Sequence, residues 1–71
     1  MEDSKKKRYV FEYGNDLLKV YGKILSVNPN AYETISKKIQ KINHTLEVYN
    51  KGMVTAWEAI YILSSIQREE M

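Results

Sequence analysis

Few side chains in this sequence could do chemistry. His44 is the only histidine, and histidine is the residue type that ordinarily exchanges a proton near neutral pH. Glu58 is an acid or base by type, but it follows Thr55 by three residues, a spacing that indicates helix capping instead. The three glycines stand alone, so no glycine-rich phosphate loop is present. We therefore predict that the protein is not an enzyme and uses no cofactor or metal.

One group of basic residues has a spacing suited to phosphate binding. Lys37, Lys41 and His44 follow one another at steps of four and three residues, which places them on one helix face. Lys38 lies beside them in the sequence. Such a ridge could follow a phosphate backbone. The pattern also fits an ordinary solvated face, and a glutamate near each end weakens its positive potential.

Aromatic residues are the second candidate for binding. Six tyrosines, one tryptophan and one phenylalanine are many for a chain of 71 residues. Tyr9 and Tyr13 lie close to Arg8, and an aromatic ring beside a cation can stack a nucleobase while the cation holds phosphate. Packing in a core or interface is the alternative role for tyrosines near apolar positions. The candidate ligand residues are Arg8, Tyr9, Tyr13, Lys37, Lys41 and His44.

Length and composition limit how the fold can be stabilised. The chain of 71 residues is expected to form one domain. A chain of this size buries only about 60% of its unfolded surface, so small domains usually add disulfides, a metal or oligomerisation. With no cysteine and one histidine, oligomerisation is the device that remains.

Charge and hydropathy bear on location and partners. The net charge of +2 does not by itself indicate nucleic-acid binding. No apolar run reaches the ~18 residues of a membrane span, and the charged residues near the start are not followed by the apolar segment of a secretion signal. We expect a cytoplasmic protein that does not enter a membrane. Residue types with AT-rich codons are abundant, which favours a phage or other mobile element as the source.

The clearest predicted element is a helix over residues 55–68. Thr55 and Glu58 have the spacing of a capping box, and Gly52 can take the positive φ that ends a preceding helix. Apolar side chains point in nearly every direction around this helix, whereas a surface helix of a monomer normally keeps a polar face. We therefore predict an oligomer interface formed by Trp57, Ile60, Tyr61, Ile62 and Ile66.

Two further helices are predicted over about residues 15–27 and 30–49. Pro29 separates them, because the residue before a proline is pushed out of the helical region. Asn30 and Glu33 resemble a second capping box. The second helix has a narrow heptad seam, formed by Ile35, Ile39, Ile42, Leu46 and Tyr49.

The start of the first helix is ambiguous. Residues 8–13 alternate like a strand, yet the apolar positions from Val10 to Leu25 keep helical spacing. Asn15 or Asp16 is the expected N-cap, and residues 1–7 are expected to form a flexible basic arm. Gly22 either allows a close backbone approach or is simply tolerated. The predicted fold is all-α, a three-helix antiparallel bundle over residues 8–71 completed by homo-oligomerisation, with ββαα as the minor alternative.

The predicted function is that of a non-enzymatic, oligomeric binding protein. It would occupy or sequester a partner, either a host protein or a phosphate-bearing nucleotide, as an inhibitor or regulator from a mobile element. The first alternative is a nucleic-acid-binding accessory protein that holds phosphates with the basic arm and the Lys37/Lys41 ridge, without sequence readout. The second is a structural adaptor with no ligand.

Overall fold

Three helices account for nearly all of the described chain. The computed structural model describes the backbone of residues 2–68 and the side chains of residues 5–68. The helices are α1 (Glu2–Val27), α2 (Tyr32–Asn50) and α3 (Ala56–Arg68), and a single 3-10 turn (Pro29–Ala31) leads into α2. The predicted all-α fold is confirmed. No strand occurs in residues 2–68, so the ββαα alternative is wrong.

The helices form a bundle in which each contacts the other two. Phe11 of α1 packs on Tyr49 near the end of α2, with ring centroids 5.8 Å apart, so α1 and α2 are antiparallel. Lys38 of α2 contacts Ile66 near the end of α3, so these two helices are also antiparallel. The N-terminal ends of α1 and α3 therefore lie at the same end of the bundle, whose longest dimension is 43 Å.

The start of α1 differs most from expectation. The helix begins at Glu2, not near residue 15, and it includes both the predicted arm and the possible strand at residues 8–13. The cause is tertiary packing: Val10 is fully buried, and Gly14, four residues on, lies against Leu46 of α2. Four-residue spacing keeps both on the inner face of a helix. Met1 lies outside the described residues.

Of the two connections between helices, the one between α2 and α3 has the turn and the cap that the sequence predicts. At the end of α2, Gly52 has φ of +80°, and its amide donates to the carbonyl of Tyr49 while the Met53 amide donates to that of Val48. These two bonds form a Schellman motif. The Thr55 amide donates to Glu58 Oε1 and the Glu58 amide to Thr55 Oγ1, at 2.8 and 3.2 Å, so the predicted capping box is confirmed.

The second predicted capping box is wrong. Ala31, not Asn30, is the N-cap residue of α2, and no side chain caps this end. The 3-10 turn that starts at Pro29 takes up the chain reversal instead, and the Ala31 amide donates to the carbonyl of Asn28 at 3.1 Å.

The core draws on all three helices. Its buried apolar residues are Val10, Leu17, Tyr21, Ile35, Ile42, Leu46, Ala59, Leu63 and Ile66. The α2 seam contacts α1 as well as α3, and two of its predicted members, Ile39 and Tyr49, are only half-buried. The close helix approach occurs at Gly14, where an added Cβ would lie 2.8 Å from a Leu46 methyl carbon. Gly22 faces open space and is simply tolerated.

Candidate binding surfaces around the third helix

The two sides of α3 have opposite environments. Ala59, Leu63 and Ile66 are buried on its inner side, whereas Trp57 and Tyr61 are 68% and 67% exposed on its outer side. Trp57 and Tyr61 are four residues apart, so their rings follow one another along the same helix face. α3 therefore exposes two large aromatic side chains in addition to the apolar surface that it gives to the core.

A groove runs between α2 and α3 on the side of Tyr61. This α2–α3 groove has a volume of about 520 Å³. Its lining residues are Lys41, His44, Thr45, Val48, Met53, Val54, Tyr61, Ile62, Ser65 and Ile66. Thr45 Oγ1 donates a hydrogen bond of 2.8 Å to the Lys41 carbonyl, so this hydroxyl is already used within α2. The groove combines an apolar floor with Lys41 and His44 along one margin.

A smaller hollow lies on the other side of α3, between its first turns and those of α1. This α1–α3 hollow has a volume of about 220 Å³ and is lined by Lys5, Lys6, Tyr9, Ala56, Trp57 and Ile60. The Lys6 ammonium lies 5.6 Å from the centroid of the Trp57 ring system, within the range of a cation–π contact. A neighbouring hollow of about 230 Å³ shares Lys6 and Trp57.

The structure divides the predicted ligand residues into separate places. Lys41 and His44 line the α2–α3 groove, and Lys37 is exposed one turn earlier on α2. Tyr9 lines the α1–α3 hollow on the opposite side of α3. Arg8 is exposed on α1, but as the neighbour of Tyr9 it is turned about 100° around the helix. The basic ridge and the N-terminal basic residues therefore do not form one continuous surface.

Tyr13 has a packing role. Its hydroxyl donates a hydrogen bond of 2.7 Å to Gln67 Oε1 and lies 3.2 Å from Ser64 Oγ, which links α1 to α3. Its ring stacks on Tyr9 at a centroid distance of 6.1 Å and an interplanar angle of 21°. Tyr13 thus supports Tyr9, which is itself 55% exposed.

Lys38 is not part of an exposed ridge. It is 4% exposed, and its ammonium donates a hydrogen bond of 2.8 Å to the Ile66 carbonyl. The same ammonium lies 6.0 Å from the centroid of the Tyr21 ring. Lys38 therefore stabilises the last turn of α3, where carbonyl groups lack partners within the helix and a positive charge is favourable.

The five residues predicted at an oligomer interface differ in how far they are buried within this chain. Ile66 is 3% exposed and belongs to the core of this chain, so that part of the prediction is corrected. Ile60 and Ile62 are half-buried, on the α1 and α2 sides of α3 respectively. Trp57 and Tyr61 remain exposed. Their place in an interface stays a prediction.

The sequence predicts no site residue in the connection before α3, although Met53 and Val54 line the α2–α3 groove. It predicts Lys5 and Lys6 only as part of a flexible basic arm, whereas they lie in α1 and line the α1–α3 hollow. A helical start before Tyr9 would have placed Lys6 and Tyr9, three residues apart, on one face.

No described helix combines the length and the hydrophobicity needed to cross a membrane. Within the described residues, no group of three or more histidine or carboxylate side chains comes together. The chain matches no protein-family model, and comparisons with curated proteins and with solved structures also give no match.

Proposed function

We propose that this protein is a non-enzymatic binding protein that works as a homodimer joined through the edge of α3 that faces the α2–α3 groove, around Tyr61 and Ile62. The observation that carries the proposal is the 67% exposure of Tyr61 directly beside the apolar α2–α3 groove. A tyrosine ring can be buried in a contact while its hydroxyl stays hydrated or hydrogen-bonded, and tyrosine is enriched in protein interfaces for that reason.

The size of the exposed apolar surface supports a protein contact. Tyr61 and Met53 are 67% and 69% exposed beside the α2–α3 groove, and Val54 and Ile62 add half-buried surface next to them. Trp57 does not line this groove and is not part of the patch. The largest apolar patch of a monomer is commonly about 300–600 Å², and a stable interface covers roughly 800 Å² on each partner. This patch and its polar margin are therefore of a size that a second chain can cover.

The charges of α3 favour a second copy of the same chain as the occupant. Glu58 lies in the first turn of α3 and Arg68 in the last turn. A twofold axis near Ile62, beside Tyr61, that makes the two α3 helices antiparallel leaves Glu58 of one copy about 3 Å along the helix from Arg68 of the other, within reach of their side chains. Such a contact uses one patch twice and closes at two copies, so it leads to no further growth.

The proposed contact leaves the opposite side of α3 open. Tyr61 and Ile62 face the α2–α3 groove, whereas Lys6 and Trp57 lie at the α1–α3 hollow. A dimer of this kind would therefore present two copies of the α1 side to a partner, which is the form in which we expect the protein to bind one.

Cysteine cross-linking tests the contact directly, because the chain has no cysteine of its own. Tyr61→Cys, near the proposed axis, should give a disulfide-linked dimer under mild oxidation. Tyr32→Cys is the matched control, since Tyr32 is 64% exposed but lies at the start of α2, outside the α3 patch. Equal, low dimer yields for both variants would contradict the proposal.

The same approach tests the antiparallel arrangement. A mixture of Glu58→Cys and Arg68→Cys chains should cross-link between the two variants more than within either one. A Glu58→Cys chain that cross-links efficiently to itself would indicate parallel α3 helices instead and would refute the assigned geometry.

A further inference from the structure

The N-terminal ends of α1 and α3 bring two lysines and two aromatic rings together. Lys5, Lys6 and Tyr9 come from the first turns of α1, and Trp57 comes from the first turn of α3. They meet because both connections of the bundle reverse the chain, which makes α1 and α3 parallel. Ala56 and Ile60 form the apolar floor of the hollow between them.

The two aromatic rings are accessible. Trp57 is 68% exposed and Tyr9 is 55% exposed, although each has a neighbour that holds it in place. Tyr9 stacks on Tyr13, whose hydroxyl is bound to Gln67 of α3, and Trp57 lies beneath the Lys6 ammonium. A ring with one supported face and one open face loses little conformational freedom when a planar group stacks on it.

The hollow has the size and charge for a planar anionic group. Its 220 Å³ correspond to the space of about seven water molecules in the liquid, enough for one heteroaromatic ring. Lys5 and Lys6 are exposed on its margin. Lys5 and Lys6 are the charged side chains among the described residues that line the hollow, and both are positive.

We propose that the α1–α3 hollow is a binding site for a nucleobase that carries a phosphate. The base stacks on Tyr9 and Trp57, and the phosphate contacts the ammonium groups of Lys5 and Lys6. Stacking accepts any base, because every base has a π-face, and the lysines act as point charges without base selectivity. A mononucleotide and an unpaired base in a single strand share this chemistry. A base inside a duplex does not, because both its faces are already stacked.

This site differs from the one that the sequence indicates. The spacing of Arg8, Tyr9 and Tyr13 predicts a site on one segment of α1, but the Tyr13 hydroxyl links α1 to α3 and Arg8 is turned away. The proposed site keeps Tyr9 and takes its second ring from α3 and its cations from Lys5 and Lys6. It does not depend on dimer formation.

The single tryptophan of the chain makes the site directly measurable. We expect AMP and a short oligothymidylate to quench Trp57 fluorescence in a saturable way at about 50 mM salt, with weaker binding at higher salt because phosphate contacts release counterions. Adenosine, which lacks phosphate, should bind at least about fivefold more weakly than AMP, and ribose 5-phosphate, which lacks a base, should not quench. Quenching by AMP identifies a mononucleotide site. Quenching by the oligonucleotide alone identifies a single-strand site.

Matched variants locate the binding. Tyr9→Ala should weaken it by at least about fivefold, since stacking on one ring is lost. Tyr32→Ala, with an equally exposed tyrosine elsewhere, should not change it. The double variant Lys5→Gln, Lys6→Gln should weaken binding and flatten its salt dependence. Lys19→Gln, Lys23→Gln removes the same charge from exposed positions further along α1 and should have little effect.

Three results would overturn the proposal. The first is the absence of quenching by both AMP and oligothymidylate in the wild-type protein at low salt and millimolar ligand. The second is equal affinity for adenosine and AMP, which removes the phosphate contact. The third is wild-type affinity in both the Lys5/Lys6 variant and the Tyr9 variant, because binding would then occur elsewhere on the protein. Circular dichroism checks that each variant is folded.

Discussion

Both sides of α3 carry large apolar side chains, but the rest of the chain covers only the inner side. The inner side has Leu63 with no exposed surface, and Lys38 is bound to its last turn. The outer side has Trp57 and Tyr61, both about two-thirds exposed. Small monomers can leave single apolar side chains in water, but two adjacent aromatic rings beside a groove are typical of a binding surface. The inner side therefore holds the fold together, and the outer side is the one on which we propose contacts with other molecules.

The largest expected effect is on the inner side. Leu63→Ala should lower the free energy of unfolding by about 2–5 kcal/mol, because it removes a fully buried side chain and leaves a cavity. Tyr61→Ala should change the stability of the dilute monomer by less than ~0.5 kcal/mol, as expected for an exposed side chain. Urea denaturation at low micromolar concentration measures both. Similar losses for the two variants would remove the distinction between the sides.

A smaller effect is expected at the hydrogen bond from Lys38 to the last turn of α3. Lys38→Met keeps much of the buried chain length but removes the hydrogen bond to the Ile66 carbonyl. The unfolding free energy should fall by about 1–3 kcal/mol, the usual cost of leaving a buried polar group without its partner. Amide hydrogen exchange should show the loss mainly in the last turn of α3. An unchanged or raised stability would show that the contact is not needed.

The smallest effects are expected at two glycines of α1, of which one packs against α2 and the other faces open space. Gly14→Ala should destabilise the protein by about 1 kcal/mol, since its Cβ would lie 2.8–2.9 Å from the Leu46 methyl carbons. Gly22→Ala should stabilise it by about 0.5–1 kcal/mol, because it meets no neighbour and alanine favours the helix. Thermal unfolding of both variants measures the difference. Stabilisation by both would mean that the Leu46 side chain can shift away from position 14 at little cost.

Local signals in the sequence were sufficient for some elements. The capping box of Thr55 and Glu58 and the positive φ of Gly52 depend on residues close in sequence, so the start of α3 and the end of α2 could be predicted. Pro29 likewise marked the end of α1 within a residue of its observed end at Val27. Each of these features is decided within about five residues.

Features that depend on contacts between helices could not be predicted from the sequence. Residues 1–7 were expected to form a flexible arm, but α1 begins at Glu2, because Val10 and Gly14 pack inside the bundle. Lys38 counted as polar in the periodic pattern, although its aliphatic stem is buried and its ammonium meets a carbonyl of α3. Ile66 was assigned to an interface because the pattern around α3 does not show which side meets the core.

The central claim is that the Tyr61 edge of α3 joins two copies of this chain, and sedimentation equilibrium tests it most directly. The wild type at about 100 μM should have twice the chain mass of 8.4 kDa, and Tyr61→Glu should return to the mass of one chain because it places a charge in the contact. Tyr32→Glu, which adds the same charge at an equally exposed tyrosine outside the patch, should remain a dimer. A wild type that stays at 8.4 kDa at this concentration would contradict the account.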